Sequence, residues 1–143
     1  MADEIFRIEF DGGARGNPGP AGFGVVIRAA DGTPIVTVGN YIGTATNNVA
    51  EYSGLIEGLS RAAELKLKHI DVFGDSELVI KQMKGVYKVK NEGLKPLWEQ
   101  ARAIVQEFDR VSFSHIPREE NAHADKLYNK AIDKRREVSD EDL

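Results

Sequence analysis

The chain contains no cysteine, so it can form neither disulfide bridges nor metal centres built on thiolates. This absence agrees with a reducing compartment. No apolar run approaches the roughly 18 residues that indicate a membrane-spanning helix. The first residues, MADEIFR, also lack the basic and then apolar pattern of a signal peptide. We therefore expect a cytoplasmic protein that makes no contact with membranes.

Positive charge is also scarce, because 19 lysines and arginines stand against 23 aspartates and glutamates and leave a net charge of −4. Such a chain has no overall attraction to nucleic acids, so binding a polyanion would need a local basic patch or bound cations. The 143 residues, 41% of them hydrophobic, fit one domain with a single core. We expect a monomer whose domain spans residues 1–136, followed by a frayed acidic tail at 137–143.

The first third of the sequence predicts three strands. Ile5–Asp11 alternates apolar and polar side chains, which is the period-two pattern of a half-buried strand. The glycines and prolines of residues 12–22 predict a loop in which no strand persists. Phe23–Arg28 and Ile35–Ile42 follow as strands on either side of the hairpin signal Asp31-Gly32. Together these segments predict an antiparallel meander.

The rest of the sequence alternates helices and strands. Apolar residues at helical spacing predict four helices, and two short apolar runs predict two more strands. The predicted helices follow Asn47-Asn48, span Ser76–Lys84 and Leu94–Phe108, and follow Asn121; the predicted strands are His69–Phe73 and Val111–Ile116. A meander followed by strand–helix–strand crossovers indicates an α/β fold, namely a five-stranded mixed sheet with a three-strand antiparallel meander plus two parallel strands, flanked by helices.

Four acids stand where strands end or helices begin: Asp11, Glu51, Asp75 and Asp125. Each has an ordinary structural explanation, as an acid that opens a turn, caps a helix or interacts with a helix dipole. If the fourth strand pairs in parallel with the first, however, Asp11 and Asp75 lie at the sheet edge where α/β proteins bind ligands. Carboxylates that converge there would suit Mg²⁺ or Mn²⁺, and two such ions can clamp both oxygens of a phosphodiester displacement.

Four segments resemble the signature blocks of the type 1 ribonuclease H family, in the family's order: FDGGARGNPGPAGFG, TNNVAEYSGL, GDSELVIKQM and ENAHADKL. The resemblance implies a ribonuclease H-like fold with the first strand at its centre. It implies that Asp11, Glu51, Asp75 and Asp125 are catalytic and hold two Mg²⁺ or Mn²⁺ ions when substrate is bound. It also implies a metal-dependent endoribonuclease that hydrolyses the RNA strand of RNA–DNA hybrids and leaves 5′-phosphate and 3′-hydroxyl ends.

The resemblance assigns substrate contacts to Gly12, Gly13, Asn17, Thr46, Asn47 and Asn48. The first three match residues that lie against the minor groove, where small residues let the backbone approach the ribose 2′-hydroxyl. The other three match residues that contact both strands, and their hydroxyl and amide groups can donate to phosphate and sugar. A nucleotide-binding phosphate cradle at residues 12–22 is excluded, because it requires a helix directly after the glycines and the sequence there predicts a strand.

A local basic run, offset only by Glu92, follows the second predicted helix and contains Lys81, Lys84, Lys88, Lys90 and Lys95. We expect it to face substrate phosphates, with Lys88 and Lys90 as contacts, although a solvated helix edge is the alternative. Some relatives carry a longer basic protrusion here, so this chain resembles the compact form. Glu77 stands where relatives often have an uncharged residue. Its carboxylate could repel the RNA backbone or bind a metal weakly, so the family's substrate contact at this position is not assigned to this chain.

The family's mobile-loop histidine, which assists proton transfer or product release, has two candidate counterparts in this sequence. His115 stands ten residues before Asp125, as the family histidine does. Its surroundings, SHIPRE, predict a strand end rather than a flexible loop, and Arg118 could reach the phosphate instead. The sequence leaves the assisting catalytic role open between these two residues.

Two other functions fit the same fold. A non-catalytic nucleic-acid binding module would be expected to have lost at least one of the four acids, and all four are present. A related nuclease with a different duplex preference would keep the acids and accept, for example, double-stranded RNA, because readout of shape tolerates related duplexes. Cleavage of a labelled hybrid in Mg²⁺ or Mn²⁺ would discriminate between these functions.

Overall fold

A computed structural model describes residues 4–143, and the first three residues lie outside the described part of the chain. In chain order the elements are β1 (Ile5–Ala14), β2 (Gly19–Arg28), β3 (Pro34–Ala45), α1 (Asn47–Glu64), β4 (His69–Gly74), α2 (Glu77–Met83), α3 (Lys95–Val105), β5 (Arg110–His115) and α4 (Ala122–Lys134). Short 3₁₀ turns at Arg118–Glu120 and Asp140–Asp142 precede and follow α4. Within residues 4–143, no helix is both long and apolar enough to cross a membrane.

The five strands form one mixed sheet in the order β3-β2-β1-β4-β5, which places β1 at the centre. The β1–β2 and β2–β3 pairs are antiparallel, whereas β1–β4 and β4–β5 are parallel. The predicted mixed sheet, and the predicted parallel pairing of the first and fourth strands, are confirmed. Phe10 of β1 pairs with Gly74 of β4, so the residues that follow them, Asp11 and Asp75, lie at the same edge of this strand pair.

The glycine-rich segment differs from its prediction, because strands extend into it from both ends. β1 continues to Ala14 and β2 begins at Gly19, which leaves only residues 15–18 as a turn. Gly12 pairs with Phe23. A Cβ atom at Gly12 would lie 2.5 Å from the carbonyl carbon and oxygen of Ala50, so the glycine allows α1 to pack directly on the strand. Backbone pairing and helix packing therefore outweigh the weak strand preference of glycine.

Helices cover both faces of the sheet. α1 packs against β1 and β2, and α4 packs against β1, β2 and β3. Neighbouring residues of a strand point to opposite faces, and Val25 and Val26 accordingly belong to different apolar clusters. The larger cluster contains Val25 together with Leu55 of α1, and the smaller one contains Val26 together with Leu127 of α4. The sheet edge that holds Asp11 therefore lies between α1 and α4.

The residues that cap the first two helices are Thr46 and Ser76. Thr46, rather than Asn47 or Asn48, caps α1, and its hydroxyl oxygen accepts a hydrogen bond from the Val49 amide at 3.2 Å. Ser76, rather than Asp75, caps α2 through the Val79 amide, also at 3.2 Å. These caps rule out the simple helix-capping explanation for Asp75.

The C-terminal segment is docked on the sheet, whereas its acidic composition led us to expect a frayed tail. Val138 is buried, and it exchanges two backbone hydrogen bonds of 2.9 Å with Gly39 of β3. Arg28 donates to His123 Nδ1 at 2.9 Å, so the proton of the ring lies on Nε2, which donates to Asp140 at 2.6 Å. Burial of the Val138 side chain and these hydrogen bonds hold the segment in place despite its negative charge.

We expect Val138→Ala to lower the free energy of unfolding by about 1–3 kcal/mol, because it removes two methyl groups from a buried site. Denaturant unfolding measures this loss. The matched control is Val86→Ala, at a position that is 62% exposed, for which we expect a change within about 0.5 kcal/mol. Equal stability of the two variants would show that the C-terminal segment contributes nothing to the fold.

Candidate active site

Three carboxylates from three separate elements meet at the edge of the central strand. Asp11 lies in β1, Glu51 in the second turn of α1, and Asp75 directly after β4. One oxygen from each can be chosen so that all three lie within 4.8 Å of one another. Together with Arg118 and Tyr128 they line a cleft of about 340 Å³.

The fold brings these residues together through strand pairing and one close packing contact. The parallel β1–β4 register places Asp11 beside Asp75. The close approach of Gly12 to the Ala50 backbone places the next residue, Glu51, above β1. The position of Glu51 relative to Asp11 therefore requires a glycine at residue 12.

Burial and mutual repulsion disfavour negative charge at this site. Desolvation, followed by the charge of Asp75, raises the pKa of Asp11 from 3.8 to about 8, although the Gly12 amide donates to Asp11 Oδ1 at 2.9 Å. Burial, with the charges of Asp11 and Asp75, also raises the pKa of Glu51 well above its ordinary value. Arg118 partly opposes both shifts. The site therefore has too little positive charge of its own to balance three ionised carboxylates.

The donor set fits a hard divalent cation. Glu51 Oε1 is buried and has no hydrogen-bond partner within residues 4–143, which is costly for a carboxylate oxygen unless a ligand satisfies it. Carboxylate oxygens from three elements are ligands that Mg²⁺ and Mn²⁺ prefer. A cation at this point would supply the missing positive charge. The predicted ligands Asp11, Glu51 and Asp75 therefore fit a metal ion.

Asp125 lies outside this group of three. It is half-buried in the first turn of α4. Its charge nevertheless contributes to the raised pKa of Asp11, so it lies within electrostatic range of the cluster. The structure thus brings three of the four predicted metal ligands into contact distance and places the fourth at the edge of the site.

His115 and Arg118 occupy different positions around the carboxylates. His115, at the end of β5, places its Nε2 atom 3.2 Å from the main-chain oxygen of Asp75. Arg118 lies in the 3₁₀ turn before α4 and lines the cleft itself. Both side chains are exposed. Arg118 is the one whose charge acts on the buried acids, and His115 is the one that contacts the backbone of a candidate ligand.

Comparisons with known proteins agree with this geometry. The family model described as reverse transcriptase-like matches residues 9–131. The crystal structure of RNase H1 from Halobacterium salinarum is 42% identical, superposes with a TM-score of 0.88, and is matched over 91% of this chain and 98% of that one. The chain belongs to the type 1 ribonuclease H family. The resemblance predicted from the four sequence segments is confirmed.

Two further relatives define the extent of the match. LC11-RNase H1, solved in complex with an RNA/DNA hybrid, is 48% identical with a TM-score of 0.87, over 91% of this chain and 98% of that one. A bifunctional protein of Mycobacterium tuberculosis is 48% identical over 127 residues, which are 88% of this chain and 35% of the relative. This ribonuclease H-family chain therefore spans about a third of the length of that curated relative.

Two of the predicted substrate contacts, Asn17 and Asn47, are linked by hydrogen bonds in this ribonuclease H fold. The Asn47 side-chain oxygen accepts from the Ala14 amide at 2.8 Å, and the Asn17 side-chain oxygen accepts from the Asn47 amide at 3.0 Å. These bonds use the amide oxygens of both side chains and leave their NH₂ groups as donors. The glycine-rich turn and the start of α1 therefore form one surface beside the carboxylates.

The basic run is only partly available to an anion. Lys81 forms an ion pair of 2.7 Å with Glu77, and this partner lowers the pKa of the Glu77 carboxyl. The charge of Glu77, which the sequence suggested could repel RNA, is thus balanced by Lys81. Lys84, Lys88, Lys90 and Lys95 are exposed and lie outside the lining of the cleft.

Two residues of the site were missed from the sequence. Tyr128, which occupies an apolar position of the last helix in the sequence pattern, lines the cleft. Asn121 is fully buried, and its Nδ2 atom donates to the Phe10 main-chain oxygen at 2.8 Å and approaches Asp75 Oδ2 at 3.5 Å. Spacing offered one signal for Tyr128, because residues three apart on a helix share a face and Tyr128 follows Asp125 by three.

Proposed function

We propose that the protein is a metal-dependent endoribonuclease that hydrolyses the RNA strand of RNA–DNA hybrids and leaves 5′-phosphate and 3′-hydroxyl ends. The group formed by Asp11, Glu51 and Asp75, with a buried Glu51 oxygen that has no partner within residues 4–143, carries this proposal. The hybrid bound to LC11-RNase H1, a relative with the same fold, supports the choice of substrate. We expect the protein to act as a cytoplasmic monomer with a single ribonuclease H-like domain.

In this proposal Asp11, Glu51 and Asp75 hold Mg²⁺ or Mn²⁺, and Asp125 completes the set when two ions and substrate are bound. Such ions polarise the scissile phosphate and lower the pKa of a water molecule, which suits in-line displacement. The chain's part is to fix its carboxylates between β1, α1 and β4, and a bound cation would offset the burial and repulsion that raise the pKa values of Asp11 and Glu51. Arg118 lies where a guanidinium can contact a phosphate, and His115 lies where an imidazole can pass a proton near Asp75; the assisting role is open between them.

We propose that the substrate duplex lies across the surface made by the glycine-rich turn and the start of α1. The Gly12 and Gly13 backbone would meet the ribose side of the minor groove, and Asn17 would donate its NH₂ group there. Thr46, Asn47 and Asn48, at the start of α1, would contact phosphates and sugars. The hydrogen bonds that join Asn17, Asn47 and Ala14 support this arrangement, because they fix these residues before substrate binds.

We propose that the exposed lysines of the α2–α3 connection also contact substrate phosphates, and the salt dependence of hybrid binding tests this. We expect the double variant Lys88→Gln/Lys90→Gln to bind the hybrid more weakly and to reduce the slope of log affinity against log salt by about 1–2, because each lost phosphate contact contributes about 0.9. Fluorescence anisotropy at several salt concentrations measures the slope. Lys68→Gln/Lys134→Gln, two exposed lysines elsewhere, is the matched control and should leave it unchanged.

A panel of four labelled substrates of one sequence tests the proposed substrate class: RNA–DNA hybrid, double-stranded RNA, double-stranded DNA and single-stranded RNA. We expect cleavage of the RNA strand of the hybrid, with 3′-hydroxyl ends that a polymerase can extend. Tight hybrid binding without turnover in Mg²⁺ or Mn²⁺ would support a binding module instead. A faster rate on double-stranded RNA would indicate a nuclease with a different duplex preference.

A further inference from the structure

Tyr128 lines the cleft of the candidate metal ligands and lies against Gly13, one of the proposed minor-groove residues. It follows Asp125 by one helical turn of α4 and lines the same cleft as Asp11 and Glu51. A Cβ atom at Gly13 would lie 3.0 Å from the Tyr128 hydroxyl and 3.2 Å from its Cζ, so the phenol rests directly on the Gly13 backbone. The residue is half-buried, which leaves part of the phenol accessible in the cleft.

The position gives the hydroxyl a different role from that of a core side chain. A buried tyrosine ring needs no hydroxyl for packing, whereas a hydroxyl at a binding surface can donate one hydrogen bond and accept another. Burial and the charges of Asp11 and Asp125 raise the pKa of the Tyr128 phenol, so it stays protonated and remains a donor at neutral pH. The groups of an RNA–DNA hybrid that Gly13 would meet are riboses, whose 2′-hydroxyl distinguishes RNA from DNA.

We propose that Tyr128 is a substrate-contacting residue whose hydroxyl donates a hydrogen bond to a ribose 2′-hydroxyl lying against Gly13, and that it thereby adds to the preference for RNA. This inference rests on the proposed function, because it takes the RNA strand of a hybrid as the ligand. In this inference a residue of α4 contacts the ribose, beside the contact made by the backbone of β1. The ring of Tyr128 would also limit how closely a nucleotide approaches Gly13.

The test combines one protein change with single-atom changes of the substrate. Tyr128→Phe removes only the hydroxyl, and we expect it to lower kcat/KM on the hybrid by about two- to twelvefold, the range for one lost hydrogen bond. A set of hybrids, each with one 2′-deoxynucleotide near the cleavage site, then locates the contact. At one position the deoxy substitution should slow the wild type and have no further effect on Tyr128→Phe. Tyr41→Phe, a half-buried tyrosine outside the cleft, is the control and should behave as wild type.

The outcomes separate this inference from the function on which it rests. Tyr128→Phe with wild-type kcat/KM, or with an equal deficit on every modified hybrid, would overturn the contact with ribose. If the wild type cleaves no hybrid, the proposed function fails. The contact is then read from the binding of uncut hybrids to Asp11→Asn and to Asp11→Asn/Tyr128→Phe. The contact is still supported if the double variant binds the unmodified hybrid more weakly than Asp11→Asn does, and if this difference disappears when the deoxynucleotide is present at one position. Equal affinities of the two variants for every hybrid would overturn it.

Discussion

The variant Asp11→Asn is expected to lose hybrid cleavage by at least about 10²–10³-fold, the cost of removing one electrostatic group from a preorganised site. Asparagine has nearly the same shape as aspartate, so the packing around β1 is kept. It removes a negative charge from the three carboxylates that lie within 4.8 Å of one another. Initial rates on a labelled hybrid in Mg²⁺ and in Mn²⁺, at saturating ion concentrations, measure the loss.

The same substitution is expected to stabilise the protein when no divalent ion is present. In the folded state burial raises the pKa of Asp11 to about 8, above the ordinary value of 3.8 that applies when the chain is unfolded. The folded protein therefore binds more protons than the unfolded chain between these pKa values, and Asp11 costs more stability as the pH rises from 4 to 8. Asparagine carries no titrating proton. In chelator at pH 8, the melting temperature of Asp11→Asn should exceed that of the wild type by several degrees. This shift corresponds to a gain of about 1–2 kcal/mol in the free energy of unfolding.

Two controls separate these effects from a general loss of fold. Asp109→Asn changes an exposed acid outside the cleft and should alter neither the rate nor the melting temperature. Added Mg²⁺ should raise the melting temperature of the wild type more than that of Asp11→Asn, because the variant lacks a ligand. If Asp11→Asn cleaved the hybrid at the wild-type rate, Asp11 would not be part of the catalytic site.

The variant Gly12→Ala is expected to damage both stability and activity. A Cβ atom there would lie 2.5 Å from the carbonyl carbon and oxygen of Ala50 and 2.8 Å from the Glu51 amide nitrogen. Both contacts are with backbone, so the start of α1 must shift away from β1. We expect a loss of about 3 kcal/mol in the free energy of unfolding. Displacement of Glu51 should in addition lower the rate on the order of 10²-fold in the fraction that remains folded.

Gly13→Ala provides a matched comparison for the loss of stability. Its Cβ atom would meet the Tyr128 side chain at 3.0 Å, and a side chain at the edge of a cleft can move where a backbone cannot. We expect it to cost about 1 kcal/mol, clearly less than Gly12→Ala. Denaturant unfolding of both variants ranks them. A Gly12→Ala protein as stable as the wild type would contradict the direct packing of α1 on β1.

The order of strands and helices could be read from the sequence because each element carries its own pattern. The alternation of Ile5–Asp11 and the short apolar run His69–Phe73 predicted strands, and right-handed crossover rules then predicted their parallel pairing. The extension of β1 and β2 through the glycines was not predicted, because glycine gives the same local signal in a loop and in a closely packed strand. Only the position of Ala50 in α1 distinguishes the two cases.

The site was predictable in outline for a related reason. Asp11 and Asp75 follow paired strands, so topology alone brought them together. Asp125 stands on a helix whose angle to the sheet no local pattern defines, and it lies at the edge of the cluster rather than within it. Tyr128 has an apolar ring and a polar hydroxyl, and its sequence context cannot show which of the two faces the cleft. The docking of Val138 on Gly39 likewise depends on contacts distant in sequence.

The dependence of RNA-strand cleavage on a divalent ion is the most direct single measurement of whether Asp11, Glu51 and Asp75 form a catalytic metal site. A hybrid labelled separately on each strand is incubated with the wild type in chelator, and Mg²⁺ or Mn²⁺ is then added in excess. We predict no cleavage in chelator and cleavage of the RNA strand alone once either ion is present. Cleavage that persists in chelator, or an intact RNA strand in both ions, would contradict the assignment.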